Sequence, residues 1–198
     1  MSAAAAPDLT VEGDFANPAS ESHVFGQRAR AAVEHAREQL AGALGGEPRE
    51  VVFTSGATES NNLALKGAAQ FLRDRGRHLV VGATEHKAVL DTAEALELAG
   101  FEVTRVAPDG EGRITPEAVA ASMRADTVLV SVMHANNETG VINDIAGIGE
   151  TAREHGARCH VDAAQTAGKL ALNVAARQDG EPVHWGDPRA RIPEKGEA

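Results

Sequence analysis

From Val51 onward the chain alternates short apolar runs with longer amphipathic stretches, and this constrains the fold more than any other feature. The runs Val51–Thr54, His78–Val81, Glu102–Val106, Thr127–Met133 and Arg158–Asp162 read as strands. Between most of them, Glu59–Arg75, Lys87–Leu98, Pro116–Arg124 and Ile145–His155 read as helices. Val89, Ala93 and Leu96 recur at i, i+4, i+7, and Ile145, Ile148, Gly149 and Ala152 at i, i+3, i+4, i+7. Both are stripes that face a core. Apolar strands separated by amphipathic helices require a sheet covered on both faces. The expected fold class is α/β, a three-layer sandwich with a mostly parallel sheet. Ligands of such sheets bind beyond the carboxyl ends of the strands.

The ends of the chain read differently. Residues 1–13 are small and polar without period, and predict a flexible arm. Asn17-Pro18-Ala19-Ser20 makes a turn, and a helix over Ser22–Leu44 stops at Gly45-Gly46, with Pro48 beyond. Residues 175–198 are rich in Pro, Gly and charge and predict a disordered or frame-shifted tail. One domain over 14–174 is left between them. With no tyrosine and only 3% aromatics, its core must rest on Val, Leu, Ile and Ala.

A net charge of −10 argues against nucleic acid or an anionic membrane as a main partner. No apolar run has transmembrane length, and Met1–Pro7 lacks the basic and apolar parts of a signal peptide. A single cysteine, Cys159, excludes an internal disulfide and fits a reducing compartment, so a cytoplasmic protein is expected. Cys159 and His160 are adjacent on a strand, point to opposite faces and cannot form a metal site together. No metal site is expected. Nor does the chain carry a G-K-[ST], G-x-G-x-x-G or H-E-x-x-H word.

The most informative words lie at the predicted strand ends. TSGATESNNLALKG, Thr54–Gly67, joins the first of these strands to a helix, with Thr58 as N-cap and Glu59 in the first turn. A helix start at a strand end offers unpaired N–H groups and the positive end of the dipole, which suit a phosphate or carboxylate. An ordinary, well-capped strand–helix corner has the same spacing. The wording is more specific, and resembles the phosphate-binding turn of the cysteine desulfurases, pyridoxal-phosphate enzymes of the class V aminotransferase group. TEHKAVLDT at Thr84–Thr92, HANNETG at His134–Gly140 and HVDAAQTAGK at His160–Lys169 resemble the same family in the same order. The resemblance runs from about Asp14 to about Asn173.

It implies a partial large domain of a fold type I pyridoxal-phosphate enzyme, with pyridoxal 5'-phosphate as cofactor. By resemblance, Ala57 and Thr58 hold the phosphate, Asp162 pairs with the pyridinium nitrogen and Gln165 donates to the ring hydroxyl. A fixed negative charge on Asp162 would keep that nitrogen protonated and the ring an electron sink. His86 would stack on the ring and move protons as the catalytic residue, since an imidazole titrates in the right range. Asn137 would touch the cofactor hydroxyl or the substrate carboxylate. Plainer readings are a turn-capping Asp162, an exposed helix-start His86 and a loop Asn137 beside Gly140.

The family's Schiff-base lysine follows the Asp162 word by about two dozen residues, where this chain has His184-Trp185-Gly186-Asp187-Pro188. The four lysines, Lys66, Lys87, Lys169 and Lys195, stand elsewhere. The serine and histidine that share the phosphate, and the sulfur-accepting cysteine of a distant loop, have no counterpart either. The sequence therefore predicts a truncated cysteine desulfurase, inactive alone. The intact family converts L-cysteine to alanine and an enzyme persulfide for iron–sulfur cluster assembly, as homodimers that pass sulfur to an acceptor scaffold. The alternatives are a non-catalytic cofactor-binding or dimerisation remnant, one half of a split enzyme, or part of a related selenocysteine or cysteine-sulfinate lyase.

Overall fold

Four parallel strands form the sheet, β1 (His78–Gly82), β2 (Glu102–Val106), β3 (Thr127–Ser131) and β4 (Arg158–His160), in the order β2-β1-β3-β4. The computed structural model describes residues 16–20, 22–170 and 172–174. The expected arm at 1–13 and tail at 175–198 lie outside them. The chain divides into two units, one formed by residues up to Phe53 with those from Leu172 on, the other by Thr54–Ala171.

The sheet belongs to the second unit. In register, Leu79 pairs with Leu129, Val80 with Val130 and Val81 with Ser131, while Val130 pairs with Cys159 and Ser131 with His160. Alternation along the strands divides the core in two. Leu79, Val81 and Leu129 pack with Leu65, Ala69 and Leu72 of α2 (Ala57–Leu72) and with Val89, Ala93 and Leu96 of α3 (Lys87–Leu98). Val80, Val130 and Val132 pack with Val119 of α4 (Pro116–Ser122) and with Ile148 and Ala152 of α5 (Ile145–Glu154). This gives the three layers that the apolar strands require, each fully buried Leu or Ile worth about 1.5–3 kcal/mol. Cys159 packs against the second cluster while His160 bonds Ser131, so the two do face opposite ways.

A buried histidine closes the amino end of the sheet. His78 Nδ1 lies 2.7 Å from Thr127 Oγ1, and Nε2 lies 2.8 Å from Thr104 Oγ1, so one imidazole joins three strands. Burial holds its pKa below the ordinary value.

In the first unit, α1 (Val24–Leu44) starts on His23, whose Nδ1 accepts from Gly26 N at 3.0 Å. It ends on Gly45 at φ 74°, a left-handed turn that favours glycine. Val51–Thr54, expected as a strand, joins no ladder among the described residues. Val52 and Phe53 are exposed, the Arg37 guanidinium lies 5.1 Å from the Phe53 ring centroid, and Arg37 Nη1 donates to Val51 O. An apolar run reports a wish for burial, whereas strand pairing depends on a partner distant in sequence. The N-cap of α2 also differs from expectation. It is Gly56, with Thr58 as the second helical residue.

Candidate functional site

The strand order reverses at β1: β2 lies on one side, β3 and β4 on the other. Such a switch point opens a crevice beyond the carboxyl ends of the strands. Here the crevice is a cavity of about 440 Å³, a size that suits a small molecule. Four segments line it: Ser55–Glu59 at the start of α2, His86 after β1, Met133 and Asn137 after β3, and Asp162, Ala164 and Gln165 after β4. The structure thus brings all six sequence-predicted residues, Ala57, Thr58, His86, Asn137, Asp162 and Gln165, to one pocket.

The α2 start is an open helix N-terminus. The first intrahelical bond runs from Ser60 N to Gly56 O, so the N–H groups of Ala57, Thr58 and Glu59 precede the ladder. Gly56 has no side chain with which to cap them. Glu59 turns back instead, its Oε2 accepting from Ser55 N at 2.7 Å and Ser55 Oγ at 2.6 Å. Those bonds lower the Glu59 pKa. They also tie the carboxylate to Ser55.

His86 is the N-cap of α3, its Nδ1 accepting from Ala88 N at 3.1 Å. That bond puts the proton of the neutral ring on Nε2. Asn137 is presented by a turn that its neighbour builds. Asn136 Oδ1 accepts from Glu138 N, Thr139 N and Thr139 Oγ1, and Asn136 Nδ2 donates to Thr84 O at 2.9 Å. Gly140 completes the turn at φ 74°, donating its N–H to Asn136 O. Beneath it, buried Asn143 donates to Met133 O at 2.8 Å and accepts from Ile114 N at 2.8 Å.

Asp162 forms the floor and is 9% exposed. Its Oδ1 accepts from Ala164 N at 2.9 Å, so it does cap its own turn. Its Oδ2 accepts from the amide of Asn61 on α2 at 2.8 Å. His134 N donates to the Asp162 carbonyl at 2.9 Å, which continues the parallel pairing past the ends of β3 and β4. Both side-chain partners of Asp162 are neutral, and no ion pair to it occurs among the described residues. A buried carboxylate normally has a cationic partner. The surrounding histidines do not supply one, since burial lowers the pKa of His134 and pushes His160 down to about 4. The floor therefore suits a cationic ligand group, and the helix start an anionic one.

Sequence reasoning missed Asn61, Met133 and Glu85. Asn61 had a legible signal: it stands four residues before Leu65 and eight before Ala69, a polar side chain on the buried stripe of α2. Of the lysines among the described residues, none lines the pocket: Lys66 lies on α2, Lys87 pairs with Asp91 at 2.6 Å, and Lys169 lies in the turn after Gln165. Among the described residues no group of three or more His, Cys, Asp or Glu could hold a metal ion, and no helix is long and apolar enough to cross a membrane.

Residues 8–178 match the family described as aminotransferase class V. Cysteine desulfurase IscS of Pseudomonas syringae pv. tomato is 57% identical over 168 residues, covering 85% of this chain and 42% of that relative. Cysteine desulfurase IscS of Azotobacter vinelandii is 58% identical over 166 residues, covering 84% and 41%. Among solved structures, SspA in complex with cysteine matches at TM-score 0.79 and 42% identity, covering 83% of this chain and 47% of that one. DndA from Streptomyces lividans matches at TM-score 0.72 and 49% identity, covering 77% and 43%. The chain spans less than half the length of each of these proteins.

Proposed function

Because the chain belongs to the class V aminotransferase family, we propose that residues 54–171 carry the pyridoxal-phosphate half-site of a cysteine desulfurase. The observation that carries this reading is Asp162, a buried carboxylate with neutral partners only, in a pocket whose other edge is an open helix N-terminus. The donor set fits the cofactor, which combines a cationic ring nitrogen with an anionic phosphate. When bound, pyridoxal phosphate supplies an electron sink.

The chain's own residues divide the remaining work. The N–H groups of Ala57 and Thr58, with the Thr58 hydroxyl, bind the phosphate at the positive end of α2. Asp162 fixes the proton on the ring nitrogen, and Asn61 fixes Asp162. Gln165 donates to the ring hydroxyl, and Asn137 orients the substrate carboxylate or that hydroxyl. His86 covers the ring and exchanges protons at Nε2, since Nδ1 is engaged by Ala88 N. L-cysteine as substrate, a homodimer, a sulfur-acceptor scaffold for iron–sulfur cluster assembly and a cytoplasmic setting belong to the same reading. The names of the relatives support the first of these.

A second reading, a cofactor-binding remnant without catalysis, is favoured by one observation: no described lysine lines the pocket. Calorimetric titration of the chain with pyridoxal phosphate tests the site. We expect weak, reversible binding, weaker by about tenfold or more in Thr58→Ala for one lost hydrogen bond to a charged group, and weaker still in Asp162→Asn. Equal affinities for all three proteins would remove these residues from the site. Borohydride reduction with peptide mapping, beside a sulfide assay with cysteine, separates the two readings. Stoichiometric label on one lysine together with sulfide release would show a working enzyme and refute the remnant.

A further inference from the structure

Glu85 stands one residue before His86 and has no part in the ligand contacts described above. It is 6% exposed. Its Oε1 accepts from Met133 N, and its Oε2 is buried without a hydrogen-bond partner among the described residues. A buried orphan oxygen calls for an explanation. The surroundings are shaped to the carboxyl group: a Cβ built on Gly82 would sit 3.3 Å from Oε1 and 3.4 Å from Ile114 Cγ1, so a glycine at the end of β1 makes the room.

The bond from Met133 N has a geometric consequence. Thr84 to His86 form one lip of the pocket, and Met133 to Asn137 form the next. Two bonds join them, Met133 N to Glu85 Oε1 and Asn136 Nδ2 to Thr84 O. Both lips end in residues that line the cavity. Among the described residues, the groups around Glu85 offer no cation. The Cys159 thiol on β4 is pushed up to about 12 by burial and by Glu85 itself, and burial disfavours the charged forms of His134 and His160.

We propose that Glu85 is a positioning residue, a buried carboxyl group that clasps the His86 lip to the Met133–Asn137 lip through its bond with Met133 N. The proposal rests on the reading of the pocket as a pyridoxal-phosphate site. Its chemistry is consistent with the surroundings. Burial foremost raises Glu85 to about 8, the bond from Met133 N opposing it and the charge of Asp162 adding to it. Ionised, Glu85 would set a second negative charge near Asp162 and repel the anionic phosphate end of the ligand.

The test uses the whole chain and the variants Glu85→Gln and Glu85→Ala. Glutamine keeps an oxygen for Met133 N and cannot ionise, so E85Q remains informative should E85A fail to fold. In the cofactor-free chain, the backbone amide resonances of Met133, His86 and Asn137 should titrate together with a midpoint near pH 8. They should not do so in E85Q. The second arm is pyridoxal phosphate affinity at pH 7 and pH 9. With a midpoint of about 8, the protonated fraction falls from about nine-tenths to about one-tenth. Wild type should therefore lose about tenfold more affinity than E85Q over that interval, the cofactor's own titration being common to both. Superimposable amide titrations in wild type and E85Q would overturn the proposal, as would equal pH dependence of binding. If neither protein bound pyridoxal phosphate at any pH, the proposed function would fail, and the amide titration would still decide for or against the clasp.

Discussion

The bond between Asn61 and Asp162 joins residues 101 positions apart and should be worth more than either motif's local structure indicates. Asn61→Ala removes a buried donor to a carboxylate, which costs about 1.5–3 kcal/mol. Alanine is the better helix former by about 0.6 kcal/mol, and the position is helical. The net loss should be roughly 1–2.5 kcal/mol, or a fall in Tm of about 4–10 °C for a unit of this size. Urea titrations of wild type, N61A, D162A and the double variant isolate the pair, with an expected coupling energy of about 1–2 kcal/mol. Asn61→Asp supplies an internal control. It sets two carboxyl groups in contact, which should destabilise at neutral pH and recover as acid protonates one of them. A coupling energy near zero, with N61A as stable as wild type, would refute the idea that Asn61 holds Asp162 in place.

Other consequences follow from burial. Burial raises Glu85 from 4.5 to about 8 and lowers His160 from 6.5 to about 4. From pH 4.5 to 6.5 the folded state keeps the Glu85 proton while the unfolded chain binds one at His160, so two slopes of about 1.4 kcal/mol per pH unit oppose each other. Above pH 6.5 Glu85 acts alone, and stability should fall by roughly 2 kcal/mol by pH 8; urea titrations in which E85Q falls in parallel would contradict this. Gly76→Ala would press a methyl group on the backbone carbonyl of Asp126, where α2 leads into β1, and should cost about 1–3 kcal/mol in thermal unfolding. Cys159, pushed up to about 12, holds about one thiolate in ten thousand at pH 8 and should resist thiol reagents until the chain unfolds; labelling of the native protein at the rate of a free thiol would contradict its burial.

Locally encoded features were legible from the residues. The bounds of α3 and β2 coincide with the sequence reading, because each rests on a pattern contained within its own dozen residues. The six predicted site residues share a pocket because each stands in a turn directly after a strand or at a helix start, where an α/β sheet gathers its ligands. The misses are non-local. Val51–Thr54 has the composition of a strand and no strand to pair with among the described residues. Gly56 displaces Thr58 as N-cap, since an extended glycine can begin the helix two residues earlier. Asn61 and Glu85 find their partners 101 and 48 residues away, and no window of sequence shows such a bond.

The charges beneath the pocket also limit what it can hold. Two carboxyl groups, Glu85 and Asp162, lie near enough to feel each other, and burial disfavours the charged form of the two histidines beside them. With Glu85 protonated, the floor presents one negative charge, set by two neutral hydrogen bonds. The start of α2 presents the opposite polarity through N–H groups that no side chain of Gly56 can cap. A simple anion would use the helix start and gain nothing from Asp162, whereas a simple amine would use Asp162 and leave the helix start to water. A ligand with one cationic ring site and a phosphate satisfies both ends. Because the two ends come from α2 and from the turn after β4, their match depends on Asn61, which belongs to the one and bonds the other. The same bond that is expected to stabilise the fold therefore ties the two poles of the site together.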